Sequence, residues 1–200
     1  MGKELEIKLH VDSPAALEQI LTDPQISALV KSFWGLTPME TAYFDTQDGA
    51  LHARHWMLRR RLEGEASIVC FKTPPEGDGL TRGEWECASD DPQAAIPELI
   101  RLGAPQALRS LTAGQPLLPT CGARFVRRYA YLRFSDRSRC VLSGDSGELF
   151  RGDAKQEFCE IELELDRGSP EKMLAFADEL MARHNLHVEP LSKFARAAAL

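Results

Sequence analysis

Glu160-Ile161-Glu162-Leu163-Glu164 and, near the opposite end of the chain, Glu4-Leu5-Glu6-Ile7-Lys8 are the stretches whose reading decides the fold. Each alternates a charged residue with an apolar one, the period of a β-strand, because successive side chains leave a strand on opposite faces. Such a strand has one apolar face and one row of charges spaced about 6.6 to 7 Å apart. Rows of like charge repel unless cations lie between them, and a divalent metal is one such remedy. The same period carries the opposite sign in Arg59 and Arg61, in Lys72 after the apolar run 66–71, and among the arginines beyond residue 123.

Outward from these two stretches, further runs read as strands at about 38–45, 56–63, 65–73, 82–88, 122–135, 138–145 and 157–166, with Glu63-Gly64-Glu65 and the run 74–79 as turn signals. Helices are expected where Ser13-Pro14, Asp91-Pro92 and Ser169-Pro170 place a capping side chain before a proline at the first helical position. A short helical piece is expected near 25–33, Ser192 caps a last short helix, and 104–121 is either a short helix or a packed connection. The apolar stripes of the helices need a sheet face to cover. The charges must then face the other way, into water or into the lumen of a barrel, and closing the sheet also removes the edges that invite aggregation. The expected fold is α+β: a closed eight-stranded antiparallel β-barrel with helices packed outside, forming one domain over 1–200.

At 200 residues the chain can bury one substantial core. Its 30 acidic against 24 basic residues give a formal net charge of -6, which argues against a general nucleic-acid binder. Charge is uneven, with six arginines and only Asp136 as an acid between Arg124 and Arg139, and five acids with no base between Glu157 and Asp166. No apolar run approaches the roughly 18 to 20 residues of a membrane span, so no membrane partner and a cytoplasmic location are expected. Five cysteines without a CxxC pair read as reduced and structural.

Arginine presents a planar fork suited to phosphate oxygens and lysine a compact point charge, so several of both imply a polyanion. Carboxylates in number, without a His or Cys cluster, suit Mg²⁺ or Mn²⁺ better than zinc. His184 and His187 have a helical spacing but no third ligand nearby. No GxxxxGK[ST] loop or GxGxxG follows a strand, and no serine or cysteine nucleophile carries a local signature. Attack by metal-activated water is the economical chemistry.

Glu4-Leu5-Glu6-Ile7-Lys8 resembles the ExExK signature of the CYTH superfamily, the triphosphate tunnel metalloenzymes. The resemblance continues in order through Tyr43-Phe44-Asp45-Thr46 (YxDT), Leu58-Arg59-Arg60-Arg61 (LRxR), Phe71-Lys72, Arg82-Gly83-Glu84-Trp85-Glu86 (RxExE), Asp145-x-Gly147 (DxG), Glu160 to Glu164 (ExExE) and Ser192-Lys193. It implies an eight-stranded tunnel in which Lys8, Arg59, Arg61, Lys72, Arg127 and Lys193 bind phosphate. Glu4, Glu6, Asp145, Glu160, Glu162 and Glu164 would hold Mg²⁺ or Mn²⁺, and Glu6, Lys8, Glu84 and Glu86 would take part in catalysis. The phase of the strand decides whether Arg127, Arg128 or Arg124 enters the lumen, and Arg127 is chosen. That choice also turns Phe125 and Tyr129 inward, against a wholly polar tunnel.

The terminal Ser192-Lys193-x-x-Arg196 and the ExExE segment resemble most the bacterial inorganic triphosphatases, which implies hydrolysis of inorganic triphosphate to pyrophosphate and phosphate. Ending at Leu200, the sequence lacks the appended helical CHAD domain of some relatives. The alternatives are an organic triphosphatase acting on thiamine triphosphate or a nucleotide, a class IV-type adenylyl cyclase, or, in another class, a non-catalytic polyphosphate-binding or nucleotide-binding module. Fold alone does not choose among them. The resemblance admits a homodimer and fixes no oligomeric state.

Overall fold

The structure, a computed structural model, describes residues 5–76 and 81–200. Glu4, expected among the metal ligands, lies outside them. Strands form where the alternation is strongest: β1 (Glu6–Val11), β2 (Gly35–Thr46), β3 (Met57–Glu63), β4 (Ala66–Glu76), β5 (Thr81–Ala88), β6 (Leu117–Arg133), β7 (Arg139–Arg151) and β8 (Ala154–Arg167), with a two-residue β9 (His187–Val188). They make one antiparallel sheet in the order β5-β4-β3-β2-β6-β7-β8-β1-β9. Gly64 takes the φ of +60° that the tight β3–β4 turn requires.

Two features differ from the expected closed, eight-stranded barrel. Among the described residues there are nine strands, because β1 pairs on its free edge with the short β9, and no ladder joins β5 to β9. The sheet still encloses a tunnel. Lys72 on β4 and Lys8 on β1 wall the same cavity, although six inter-strand steps of about 4.8 Å would hold them about 29 Å apart in a flat sheet. The sheet is therefore rolled, the direction in which its twist drives it.

The outer face is covered in two places. On one flank α1 (Pro14–Leu21), α2 (Pro24–Leu29) and α5 (Pro170–His184) bury Leu17, Ile20, Ile26, Met173, Phe176 and Leu180 against Leu9, Val11, Leu142, Ile161 and Leu163 of the sheet. On the other, α3 (Pro92–Arg101) and α4 (Ala107–Thr112) bury Leu99, Ile100 and Leu108 against Leu58, Val69 and Phe71. Ser13, Asp91 and Ser169 cap their helices by accepting from Ala16, Gln93 and Glu171 backbone N–H groups, each with proline at the start. Asp23 caps α2 in the same way and also binds Arg183 and His184 of α5, which ties the two helices together.

Residues 117–121 belong to β6 rather than to a connection, because β2 extends to Thr46 and offers them partners: Leu117 pairs with Thr46 and Leu118 with Asp45. The last helix, α6 (Lys193–Ala198), departs from the expected arrangement of helices outside the barrel. It lies against the concave side, where its Ala197 and Phe194 pack with Met39, Tyr43, Phe125, Leu149 and Phe158. The concave side therefore carries an apolar cluster among its charged rows, with Lys193 and Arg196 over the Phe158 ring.

Candidate functional site

The inward-facing residues run in register from strand to strand. Lys8 is opposite Glu162, Glu160 is opposite Asp145, and Asp145 is opposite Arg127. Across the tunnel Tyr43 is opposite Arg59, Arg59 is opposite Cys70 and Cys70 opposite Glu86, while Met57, Lys72 and Glu84 form the next row. The rows bound a cavity of about 420 Å³ whose wall includes Glu6, Lys8, Arg59, Arg61, Lys72, Arg127, Glu162, Glu164 and Lys193. Nine of the residues singled out in the sequence therefore meet at one place.

The phase of β6 turns Arg127 inward with Phe125. Arg128 lies outside, on Glu18 and over the Trp34 ring, and Arg124 binds Glu40 on the same outer face. The apolar neighbours that enter with Arg127 are accommodated by α6, whose Lys193 lies 4.9 Å above the Phe125 ring. Gly147 allows this part of the wall to pack tightly, since a Cβ there would fall 2.1 Å from the Arg124 carbonyl oxygen and 2.6 Å from Cβ of Phe125.

The acids fall into three groups rather than a single ring. The deepest comprises Asp145, Glu160 and Glu162, whose ligand atoms lie within 4.8 Å of one another. Arg127 donates to Asp145 at 2.8 and 2.7 Å and to Glu162; Lys193 sits 2.8 Å from Asp145 and from Glu162 and also binds Glu160; Arg196 binds Glu160. Three carboxylates thus face three cations. Burial opposes the charge of Glu162, but Lys193 and Arg127 outweigh it and hold the carboxyl well below its usual range. Burial raises Glu160 despite Lys193. Burial likewise works against the Lys193 ammonium, which Glu162, Asp145 and Glu160 reverse, raising its pKa. Asp145 and Glu160, expected at the metal, and Lys193, expected at the phosphate, thus meet in one buried network.

The second group opens onto the cavity. Glu6 and Glu164 are directly opposed on β1 and β8, with Glu162 next along β8 and the Lys8 ammonium 3.5 Å from Glu6. Two carboxylates facing each other across a ladder are unfavourable without a cation. Glu6, Glu162 and Glu164 offer oxygen donors only, so they fit Mg²⁺ or Mn²⁺.

The third group, Glu84 and Glu86 on β5, stands on the other side of the tunnel with Cys70. Lys72 lies 2.7 Å from Glu84 and lowers its pKa against the effect of burial. Burial pushes the Cys70 thiol up to about 12, so it stays neutral. Arg59 is 3.8 Å from Glu86, and although burial works against its charge, Cys70, Tyr43, Glu84 and Glu86 raise its pKa overall. Arg59 and Arg61 each keep a buried Nε–H with no acceptor among the described residues. Arg60 on the outer face, beside Glu40, and Arg196 on α6 have the same feature, so it does not mark the cavity alone.

Several wall residues carried no signal in the sequence. Met39, Met57, Phe194, His52 and His55 also line the cavity. Arg196 was visible only as the end of Ser192-Lys193-x-x-Arg196, with nothing to show that it reaches Glu160.

A family model described as the CYTH domain matches residues 2–198. Solved structures share the fold. HpAC1 of Hippeastrum, whose description pairs adenylyl cyclase with a dominant triphosphatase activity, is 21% identical over 98% of this chain and 95% of its own, with a TM-score of 0.65. A Bacillus halodurans protein described as an adenylate cyclase is 18% identical over 96% of each chain, with a TM-score of 0.56. The PH1012 protein of Pyrococcus horikoshii is 18% identical over 95% and 96%, with a TM-score of 0.52. Among the described residues no helix is long and apolar enough to cross a membrane. With the model matched from residue 2 to residue 198 and the inward charged rows in place, the chain belongs to the CYTH domain family.

Proposed function

We propose that the cavity binds inorganic triphosphate and hydrolyses it to pyrophosphate and phosphate with Mg²⁺ or Mn²⁺. The observation that carries this reading is that Arg59, Arg61, Lys72, Lys8 and Arg127 line one cavity together with Glu6, Glu162 and Glu164. Arg59, Arg61 and Lys72 would grip the phosphate chain from one side, Lys8 and Arg127 from the other. Glu6, Glu162 and Glu164 would hold the metal, which supplies charge neutralisation and an activated water. Glu84, kept ionised by Lys72, and Glu86 would orient the chain through Lys72 and Arg59. Asp145 and Glu160 would act from behind, fixing Arg127 and Lys193 so that their charges need no rearrangement when substrate enters.

An organic triphosphate is the second reading, because Met39, Tyr43, Met57, Phe125 and Phe194 share the wall. Tyr43 and Met39 are each only 4% exposed and Phe125 7%, so most of that apolar surface is already spent against α6 and little remains for a base or thiazole ring. That favours the inorganic substrate. The test is phosphate release from triphosphate, pyrophosphate, ATP and thiamine triphosphate, each with Mg²⁺, Mn²⁺ or chelator. Metal-dependent release from triphosphate well above the others supports the proposal; release mainly from ATP or thiamine triphosphate overturns it.

A further inference from the structure

Tyr43-Phe44-Asp45-Thr46 matches a motif of the family, yet Asp45 and Thr46 do not line the cavity. Asp45 is buried, and its carboxylate accepts the backbone N–H groups of Thr46 at 2.7 Å, Leu51 at 2.9 Å and His52 at 2.9 Å. The Thr46 hydroxyl donates to Asp48 at 2.7 Å and accepts from the Ala50 N–H at 2.9 Å. Leu51 is fully buried beneath this loop, and its carbonyl accepts the Trp56 N–H at 2.9 Å. The connection from β2 to β3 is therefore a clamped loop.

Its output is a short 3-10 turn, His52–Arg54, followed by His55 in the left-handed conformation at φ +55°. That conformation is uncommon outside glycine and persists where the surroundings enforce it. His52 and His55 are both exposed and both reach the cavity wall, next to Met57, Thr73 and Pro74. Along β3 the inward positions run from His55 through Met57, opposite Lys72, to Arg59 and Arg61. The segment His52-Ala53-Arg54-His55 contains three bases and no acid.

We propose that His52 and His55 form a rim subsite that donates hydrogen bonds to the outermost, unesterified phosphate of the chain as it emerges past Lys72, with Asp45 as the positioning residue that holds both imidazoles in place. Ring nitrogens are donors to phosphate oxygens, and here they extend the basic row of Arg61, Arg59 and Lys72 to the cavity's edge. The rim then favours inorganic triphosphate and longer linear polyphosphate over triphosphates whose outer end carries an organic group. This rests on the triphosphate reading of the cavity.

The test is calorimetric titration of the full chain, with chelator present, using inorganic triphosphate and, separately, ATP and thiamine triphosphate. The proteins are wild type, His52→Ala, His55→Asn and the double variant. Asparagine tolerates the left-handed conformation, so His55→Asn removes the imidazole without straining the loop. Each single variant is expected to weaken triphosphate three- to tenfold and the double variant more, with smaller changes for the two esters. In turnover the same variants should raise KM more than they change kcat. Asp45→Asn should reproduce the weakening through the loop, and its KM should rise even when it is assayed well below its own melting temperature, where it stays folded. Wild type that binds triphosphate while the double variant binds it equally well overturns the rim and leaves the cavity reading standing. Variants that weaken only the esters overturn it in favour of a site for the organic group. Wild type that does not bind triphosphate removes both.

Discussion

The two walls of the cavity use the same residue types to opposite effect. On the β1–β8–α6 wall, Asp145, Glu160 and Glu162 are matched at close range by Arg127, Lys193 and Arg196. On the β3–β4 wall, Lys72 meets Glu84 at 2.7 Å, but Arg59 and Arg61 meet Glu86 and Glu63 only at 3.8 and 3.5 Å. Close, buried pairs fix their side chains, while the longer arginine contacts leave the guanidinium groups room to turn toward a ligand. The first wall is therefore built to be rigid and the second to be filled. A polyanion suits the second, and the shallow carboxylates Glu6 and Glu164, which line the same cavity, would hold the metal.

The largest effect that tests this contrast is at the shallow carboxylates. Glu6→Gln should cut metal-dependent turnover of triphosphate by more than the roughly 10- to 100-fold seen when a metal site loses an outer partner, with a small change in melting temperature, since it relieves repulsion from Glu164 but also gives up the Lys8 ion pair. Next is Lys193→Met, which leaves three buried carboxylates facing two cations. It should lower stability by about 3–5 kcal/mol, read as a shift in the denaturation midpoint. Arg59→Ala should cost less stability than Lys193→Met, because its contact with Glu86 is 3.8 Å long, and weaken triphosphate by about 1.5–3 kcal/mol in binding, because it removes a charged donor from the cavity wall.

Asp23 provides the control away from the cavity. Its carboxylate binds Arg183 at 2.9 Å and His184 at 2.9 Å on the outer flank. Burial works to raise its pKa, but those partners and the Gln25 N–H lower it below the ordinary 3.8. A depressed carboxyl contributes stability that is present above its unfolded pKa and lost as the pH falls through the folded one. Asp23→Asn should therefore cost about 1–2 kcal/mol at neutral pH, flatten the acid limb of the stability profile below about pH 4, and leave triphosphate turnover unchanged.

Much of the contrast was legible in the sequence because strand periodicity is strict. Glu160, Glu162 and Glu164 share a face by arithmetic alone, and so do Arg59 and Arg61. The phase of β6 was the weak point, and the structure turns Arg127 inward by pairing it with Asp145 on β7. What periodicity could not carry is partner choice across strands and helices. Lys193 starts a helix, and nothing local indicates that α6 enters the tunnel and delivers its ammonium to three acids, nor that Arg196 follows one turn later. His52 and His55 were silent for a similar reason: their position depends on a loop folded around the Asp45 carboxylate, a set of backbone contacts with no periodic trace. Residues 117–121 became strand only because β2 ran long enough to pair with them.

The central claim, that one wall receives the phosphate and the other the metal, is tested most directly by titrating inorganic triphosphate into wild type, Arg59→Ala and Glu6→Gln with metal removed by chelator. The account predicts that wild type and Glu6→Gln bind, the latter equally or more tightly because a repelling carboxylate is gone, and that Arg59→Ala binds at least about tenfold more weakly. Undiminished metal-free binding by Arg59→Ala together with its loss in Glu6→Gln would contradict the division between the walls.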